Sequence, residues 1–417
     1  MRLLLFFVAN SYQTFMLAFS AAKLFSAPEI ISKPLLLVEQ GRIVEVSSRD
    51  GRPAPSASSV VDFGDAIIAP GYIDLHIHGS SGYDVMDDSA AALPAIGLML
   101  ARHGVTSYFP TTVTAALDRT LHALERLASA IEKADKQNVD GNALARRGDR
   151  SQNDRVVAAP IGIHLEGPFI SHLRRGVHPP ENLLPPTLAT FEKFWQAARG
   201  RIRMMTVAPE LEGALPVIAE ATGRGVCVSL GHSDADFAAT VCGIEAGARH
   251  ATHTFNAMRP LDHRAPGILG AVLTDSRLSA DIIADGVHLD PSIVKLFAEA
   301  KGPNNTVLIT DAISATGKPD GRYRLGTFDV DVSGDRCTTG GKLAGSVLTM
   351  DRAVRNLAEF AKWDLAAAVM AASRNPAETA KLKNKGKLVA GADADFVVLS
   401  KEGKVLRTFI GGVESAG

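Results

Sequence analysis

The residues of this sequence best suited to chemistry stand at the ends of apolar runs. Asp74-Leu75-His76-Ile77-His78 closes one run, His164-Leu165-Glu166-Gly167-Pro168 another and Ser229-Leu230-Gly231-His232-Ser233 a third. His250-Ala251-Thr252-His253-Thr254 and Leu308-Ile309-Thr310-Asp311-Ala312 close two more. Side chains two apart in a strand share a face, so His76 and His78 point the same way. Two adjacent imidazoles suit a divalent metal. A carboxylate such as Glu166 at the end of an apolar strand is costly to bury unless it is paired or metal-bound. Taken singly, a strand-end His is usually a hydrogen-bonded rim residue and a strand-end Asp usually a helix cap. Six such placements together are hard to assign to capping. Glu166, His232 and His253 then make a three-ligand site with an open position, and His76 and His78 complete a second position with Glu166 as bridge. Asp311 is the candidate proton handler, because a carboxylate beside an acidified water can take its proton and pass it to a leaving amine. No GxSxG elbow is present, and Cys227 and Cys242 lack a nucleophile motif.

These residues need elements that bring their ends together. Strand-like runs at 72–78, 106–112, 161–166, 203–208, 226–232, 250–253, 279–284 and 306–311 alternate with amphipathic helical stretches. That is the pattern of an α/β fold, a (β/α)8 TIM-type barrel, whose strand ends meet on one catalytic face. A doubly wound sheet would call for a GxGxxG turn after its first strand, and none follows. Both ends of the chain are β-rich: 34–38 and 43–46 flank a Gly41 turn, and 396–399 and 405–410 return near the carboxyl end. The expected organisation is a barrel over 71–387 and a small β-sandwich domain built from 18–70 and 388–417. The polar stretch 133–154 is expected to be a mobile surface loop, and 323–345 a hairpin over the barrel mouth, a candidate lid. Residues 1–17 begin with an apolar run, Leu3 to Ala9 after Arg2, and are taken as an extension or misassigned start sooner than as a signal peptide.

Composition narrows the function classes. Across 417 residues, 44 Lys and Arg balance 45 Asp and Glu, so no basic surface for nucleic acid or anionic membrane is expected. The 46% hydrophobic content supports a large core. Three scattered cysteines argue against a disulfide framework and for a reducing, cytoplasmic setting, and leave metal binding to His and carboxylate.

Together these motifs resemble the amidohydrolase superfamily. Within it, His164 to Phe169, Ser229 to Ser233, Thr252 to Met258, Asp285-Gly286-Val287-His288 and Leu308 to Ala312 are similar to the N-acetylglucosamine-6-phosphate deacetylase family, over nearly the whole chain from about Ala18. The resemblance implies metal-dependent hydrolysis of a sugar-phosphate acetamide, in amino-sugar catabolism and cell-wall sugar recycling. It implies substrate contacts at Val177, His178, Asn256, Ala257, Arg264, His288, Leu343, Ala344 and Gly345, with His178 also at the reacting acetamide. It further implies a homodimer in which Arg264 reaches the neighbouring active site, and one or two divalent ions per subunit, zinc first and iron, cobalt or manganese as alternatives. Many binuclear relatives bridge their metals with a modified Lys on the fourth strand. Met204-Met205-Thr206 offers none here, so Glu166 takes that place. Rival readings are a superfamily member acting on a cyclic amide or an unphosphorylated N-acetyl amino sugar, and a non-catalytic scaffold.

Overall fold

Eight strands run parallel, side by side, in chain order. They are β1 (Tyr72–Ile77), β2 (Val105–Thr112), β3 (Ile163–Glu166), β4 (Ile202–Val207), β5 (Cys227–Leu230), β6 (His250–Ala251), β7 (Ser279–Ile282) and β8 (Thr306–Leu308). The ring closes just beyond β8, where the Asp311 amide donates to the His76 carbonyl and the His78 amide to the Ala312 carbonyl, each at 2.9 Å. Ile77 and Ala312 form the parallel bridge at this seam. This is a (β/α)8 barrel, described in a computed structural model over residues 16–26, 29–49, 60–145 and 156–415. Strands of a helix-wrapped parallel sheet are buried on both faces, which is why every residue of β1 and β2 is buried, the polar Asp74, His76 and Thr111 included. Ile96 and Leu100, from the helix Ala92–Arg102, pack against that sheet in the main core.

The two ends of the chain build a β-sandwich beside the barrel. One sheet joins Val413–Glu414, Val405–Ile410, Phe396–Leu399, Ile67–Pro70, Lys23–Ser26 and Glu29–Ser32, so both termini share it. The other joins Arg42–Ser48, Pro34–Glu39, Leu17–Ser20 and Val60–Asp62. Between the sheets lie Phe19, Phe396 and Phe409, with the Phe396 and Phe409 rings stacked at 4.4 Å and Phe19 edge-on to Phe396 at 5.0 Å. The expected hairpin is present, its tight turn formed by Gln40 and Gly41, both at positive φ.

Three expectations are corrected. The stretch expected to be a loop from 133 is helical as far as Ala145, the end of one helix Leu117–Ala145. Extending a nucleated helix adds one hydrogen bond per residue fixed, so a polar tail without Pro propagates from the amphipathic start. Ion pairs from Arg199 to Glu132 at 2.9 Å and Arg201 to Asp135 at 2.7 Å hold its middle to the barrel. Residues 146–155 lie outside the described residues, as do 1–15 of the apolar extension. Leu17, placed in that extension, already pairs with Val38 in the sandwich. The hairpin expected over 323–345 is a four-stranded antiparallel meander, Gly321–Leu325, Phe328–Ser333, Arg336–Thr339 and Lys342–Leu343. It is tethered where the Gly326 amide donates to Asp84 Oδ2 at 2.8 Å.

Candidate active site and metal centre

The six strand-end residues meet at the carboxyl face of the barrel, all of them buried. Glu166 is the centre. Its Oε1 lies 3.0 Å from His253 Nε2, 3.2 Å from His232 Nε2 and 3.5 Å from His76 Nε2. Its Oε2 lies 3.3 Å from His78 Nε2 and 3.6 Å from His178 Nε2. Two groups of three share this space: Glu166, His232 and His253, and His76, His78 and Asp311. The second group differs from the sequence reading, which gave Asp311 a proton-handling role and no place among the ligands. Asp311 Oδ1 stands 3.1 Å from His78 Nε2 and 3.5 Å from His76 Nε2.

Local backbone aims these side chains. His232, His253 and Asp311 all have positive φ at the ends of β5, β6 and β8, a conformation that turns the chain sharply as it leaves the sheet. Such residues persist only where the surroundings over-determine them, and they gather at functional sites. Beyond Glu166 the chain turns at Gly167, also at positive φ, where a Cβ would stand 2.1 Å from Thr114 Oγ1. Asp74 is fully buried and joins β1 to the end of β8, its Oδ1 accepting from the His76 amide at 3.2 Å and its Oδ2 from the Thr310 hydroxyl at 2.6 Å. Burial pushes its carboxyl up to about 6.

Hydrogen bonds at the far nitrogens sort the imidazoles by role. His78 Nδ1–H donates to the Thr111 carbonyl and His232 Nδ1–H to the Arg174 carbonyl, both at 2.9 Å. Each leaves an Nε2 lone pair facing Glu166, the tautomer that binds a metal. His178 is the reverse. The Thr114 amide donates to its Nδ1 at 3.3 Å, with Thr114 Oγ1 also 2.7 Å away, so the ring proton sits on Nε2 and points into the site. The cluster therefore contains acceptors for a cation and one separate donor.

The donor set fits a divalent ion. Nε2 to Nε2 distances are 3.2 Å for His76 and His78 and 3.1 Å for His232 and His253. A four-coordinate ion with ligands at about 2.0–2.1 Å has ligand-to-ligand edges of about 3.3 Å. Electrostatics agree with a site built around charge. Burial alone would raise Asp311, but its contact with His78 and the neighbouring His76 outweigh it and bring the carboxyl to about 2. Burial brings His232 down to about 4. It acts the same way on His253, yet the hydrogen bond and charge of Glu166 prevail and raise that imidazole to about 9.

The substrate contacts implied by the resemblance fall around this centre unevenly. Val177 and His178 precede the short 3-10 turn Pro180–Asn182, and Asn256 and Ala257 follow His253, with Asn256 Nδ2 donating to the His253 carbonyl at 3.3 Å. His288 is oriented by Asp285, whose Oδ2 lies 2.8 Å from His288 Nδ1 while its Oδ1 accepts the amides of Val287 and His288. Leu343, Ala344 and Gly345 end the meander and run directly into Ser346, whose amide donates to the Asp311 carbonyl at 2.8 Å. Arg264 is exposed on the loop before the helix Gly267–Thr274, where its amide donates to Asp262. Sequence reasoning missed Thr114, Asp74 and Asp285 as partners of site residues. Only Asp285, three residues before His288, carried a readable signal.

A buried His and carboxylate cluster at the carboxyl mouth of a (β/α)8 barrel, with a sandwich made from both chain ends, defines the metal-dependent hydrolase class of this fold. The model of the amidohydrolase family matches residues 67–414, and the chain belongs to that family. Among curated relatives, N-acetylglucosamine-6-phosphate deacetylase of Lysinibacillus sphaericus is 35% identical over 367 residues, 86% of this chain and 89% of that protein. N-acetylgalactosamine-6-phosphate deacetylase of Escherichia coli O157:H7 is 37% identical over 384 residues, covering 90% and 96%. Among solved structures, a mutant N-acetyl-D-glucosamine-6-phosphate deacetylase from Mycobacterium smegmatis, in complex with N-acetyl-D-glucosamine-6-phosphate, superposes with a TM-score of 0.84 at 33% identity, covering 96% of this chain and 99% of that one.

Proposed function

We propose that the chain hydrolyses the acetamide of N-acetyl-D-glucosamine 6-phosphate to D-glucosamine 6-phosphate and acetate. The observation that carries this reading is the convergence of five imidazole Nε2 atoms on Glu166, with Asp311 beside them, in a chain whose relatives are deacetylases of amino-sugar phosphates. Glu166, His232 and His253 would hold one divalent ion, and His76, His78 and Asp311 would hold a second. Zinc suits these ligands best, and iron, cobalt or manganese fit the same donor types. When bound, the ion acidifies a water and polarises the acetamide carbonyl.

The protein residues do the rest. Asp311 accepts the proton of the attacking water and returns it to the sugar nitrogen, since an amide nitrogen leaves poorly unless protonated. His178, with its proton on Nε2, donates to the acetyl oxygen as negative charge develops there. His288, steadied by Asp285, and Arg264 of a neighbouring subunit in a homodimer bind the phosphate, so that binding energy remote from the reaction positions the acetyl group. Val177, Asn256, Ala257 and the Leu343 to Gly345 segment surround the sugar ring. Among the described residues no helix is long and apolar enough to cross a membrane, and a cytoplasmic enzyme suits a phosphorylated substrate.

The 37% identical galactosamine relative favours a second arm, the 4-epimer. Identifying products by NMR from both epimers, with metal-loaded and chelator-treated protein, tests the proposal. Glucosamine 6-phosphate and acetate in equal amounts support it, and release of acetate from the galacto epimer alone reassigns the sugar.

A further inference from the structure

Beneath His253 lies a buried imidazole and carboxylate pair that the reaction described above does not use. Asp281 on β7 and His250 on β6 are both fully buried, with His250 Nε2 2.9 Å from Asp281 Oδ2. A carboxylate taken wholly out of water is costly to bury unless it is well hydrogen-bonded, so its place here calls for an explanation. The second oxygen supplies one. Asp281 Oδ1 accepts the backbone amide of His253 in a short hydrogen bond, and the Asp281 carbonyl accepts the next amide, that of Thr254, at 2.9 Å. One residue thus holds two successive amides across the turn in which His253 takes positive φ.

The ring of His253, like that of His76, lacks the support given to His78 and His232. His78 and His232 are each fixed through Nδ1 by a backbone carbonyl, whereas His253 Nδ1 has no protein partner. The direction of its Nε2 therefore depends on the backbone turn, and the turn depends on Asp281. His250 completes the arrangement: its Nδ1 lies 2.7 Å from Ser279 Oγ, itself 3.1 Å from Thr379 Oγ1, so the imidazole is held at both nitrogens and presents Nε2–H to the carboxylate.

We propose that Asp281 and His250 are positioning residues for the metal ligand His253, holding its backbone turn so that Nε2 is aimed at Glu166. This rests on the reading of His253 as a ligand. Outer partners of metal ligands typically change affinity by about 10–100-fold when removed.

The test is a chelator-competition titration of metal-free protein with zinc, together with the visible spectrum of the cobalt-substituted protein, for wild type, His253→Ala, Asp281→Asn, His250→Asn and His250→Gln. Asp281→Asn keeps one acceptor but loses the charge and the match to His250 Nε2–H. It is expected to weaken zinc binding about 10–100-fold and to alter the cobalt spectrum. His250→Asn is too short to reach the carboxylate and should behave likewise, while His250→Gln can still donate to it and should stay within about threefold of wild type. If Asp281→Asn fails to fold, the contrast between His250→Asn and His250→Gln decides. Wild-type affinity and spectrum in both Asp281→Asn and His250→Asn, with His253→Ala impaired, would overturn the positioning role and leave the ligand reading intact. Wild-type affinity in His253→Ala would overturn the ligand reading itself.

Discussion

Asp311 Oδ1 stands 3.1 Å from His78 Nε2, so the carboxylate assigned to proton transfer is also in contact with the paired imidazoles of the first strand. The two roles separate on substitution. Asp311→Asn keeps the shape and removes the base, and kcat should fall by about 10²–10⁴-fold. Metal held by Glu166, His232 and His253 should remain, at one or more ions per chain by elemental analysis. Turnover near wild type would move the proton transfer to another group.

Gly345 occupies a position no other residue fits. It has positive φ, and a Cβ there would stand 2.3 Å from Ile313 Cγ2 and 3.0 Å from the Asp311 carbonyl oxygen. Gly345→Ala must therefore push the end of the meander away from Asp311. We expect a stability loss of about 1–3 kcal/mol by chemical denaturation, together with a lower kcat/KM. Unchanged values of both would show that this segment moves freely of the site.

Phosphate recognition predicts a loss that depends on the substrate. A charge-assisted hydrogen bond contributes about 1.5–3 kcal/mol, so Arg264→Ala should lower kcat/KM for the phosphorylated sugar by about 10–100-fold. The same variant should leave the slow reaction of unphosphorylated N-acetylglucosamine unchanged. An equal loss on both sugars would mean that Arg264 supports the loop and not the phosphate.

Lys301 gives a pH signature away from the site. Its ammonium is buried at the end of the helix Gly267–Thr274, donating to the Val272 carbonyl at 2.8 Å and the Asp275 carbonyl at 3.0 Å. Burial lowers its pKa from 10.5 to about 8. Between those values the unfolded chain holds the proton that the folded chain has released, so folding becomes more favourable as pH rises. The stability of wild type relative to Lys301→Met should therefore climb between about pH 8 and pH 10.5 and be flat below pH 8. Denaturation midpoints across that range check it, and a fall in the difference would contradict the assignment.

Much of this was legible in the sequence because strand periodicity is local. The two-residue spacing of His76 and His78, and the placement of Glu166, His232, His253 and Asp311 at the ends of apolar runs, were enough to bring them to one face once a barrel was inferred. What escaped depends on closure. Asp311 joins the His76 and His78 group because the end of β8 pairs with β1, a contact between residues more than two hundred positions apart. Asp281 and Thr114 reach His253 and His178 through backbone amides, and no residue pattern records that. The helix extending to Ala145 was missed because its tail has no apolar face, and its continuation depends on the nucleated turns before it.

The central claim is tested most directly by acetate release from N-acetyl-D-glucosamine 6-phosphate, measured alongside the metal content of the same sample. The account predicts rapid release with metal bound, loss of release on chelation, recovery on adding zinc or cobalt, and a much slower reaction with the unphosphorylated sugar. No acetate from either sugar with the metal groups filled would contradict it.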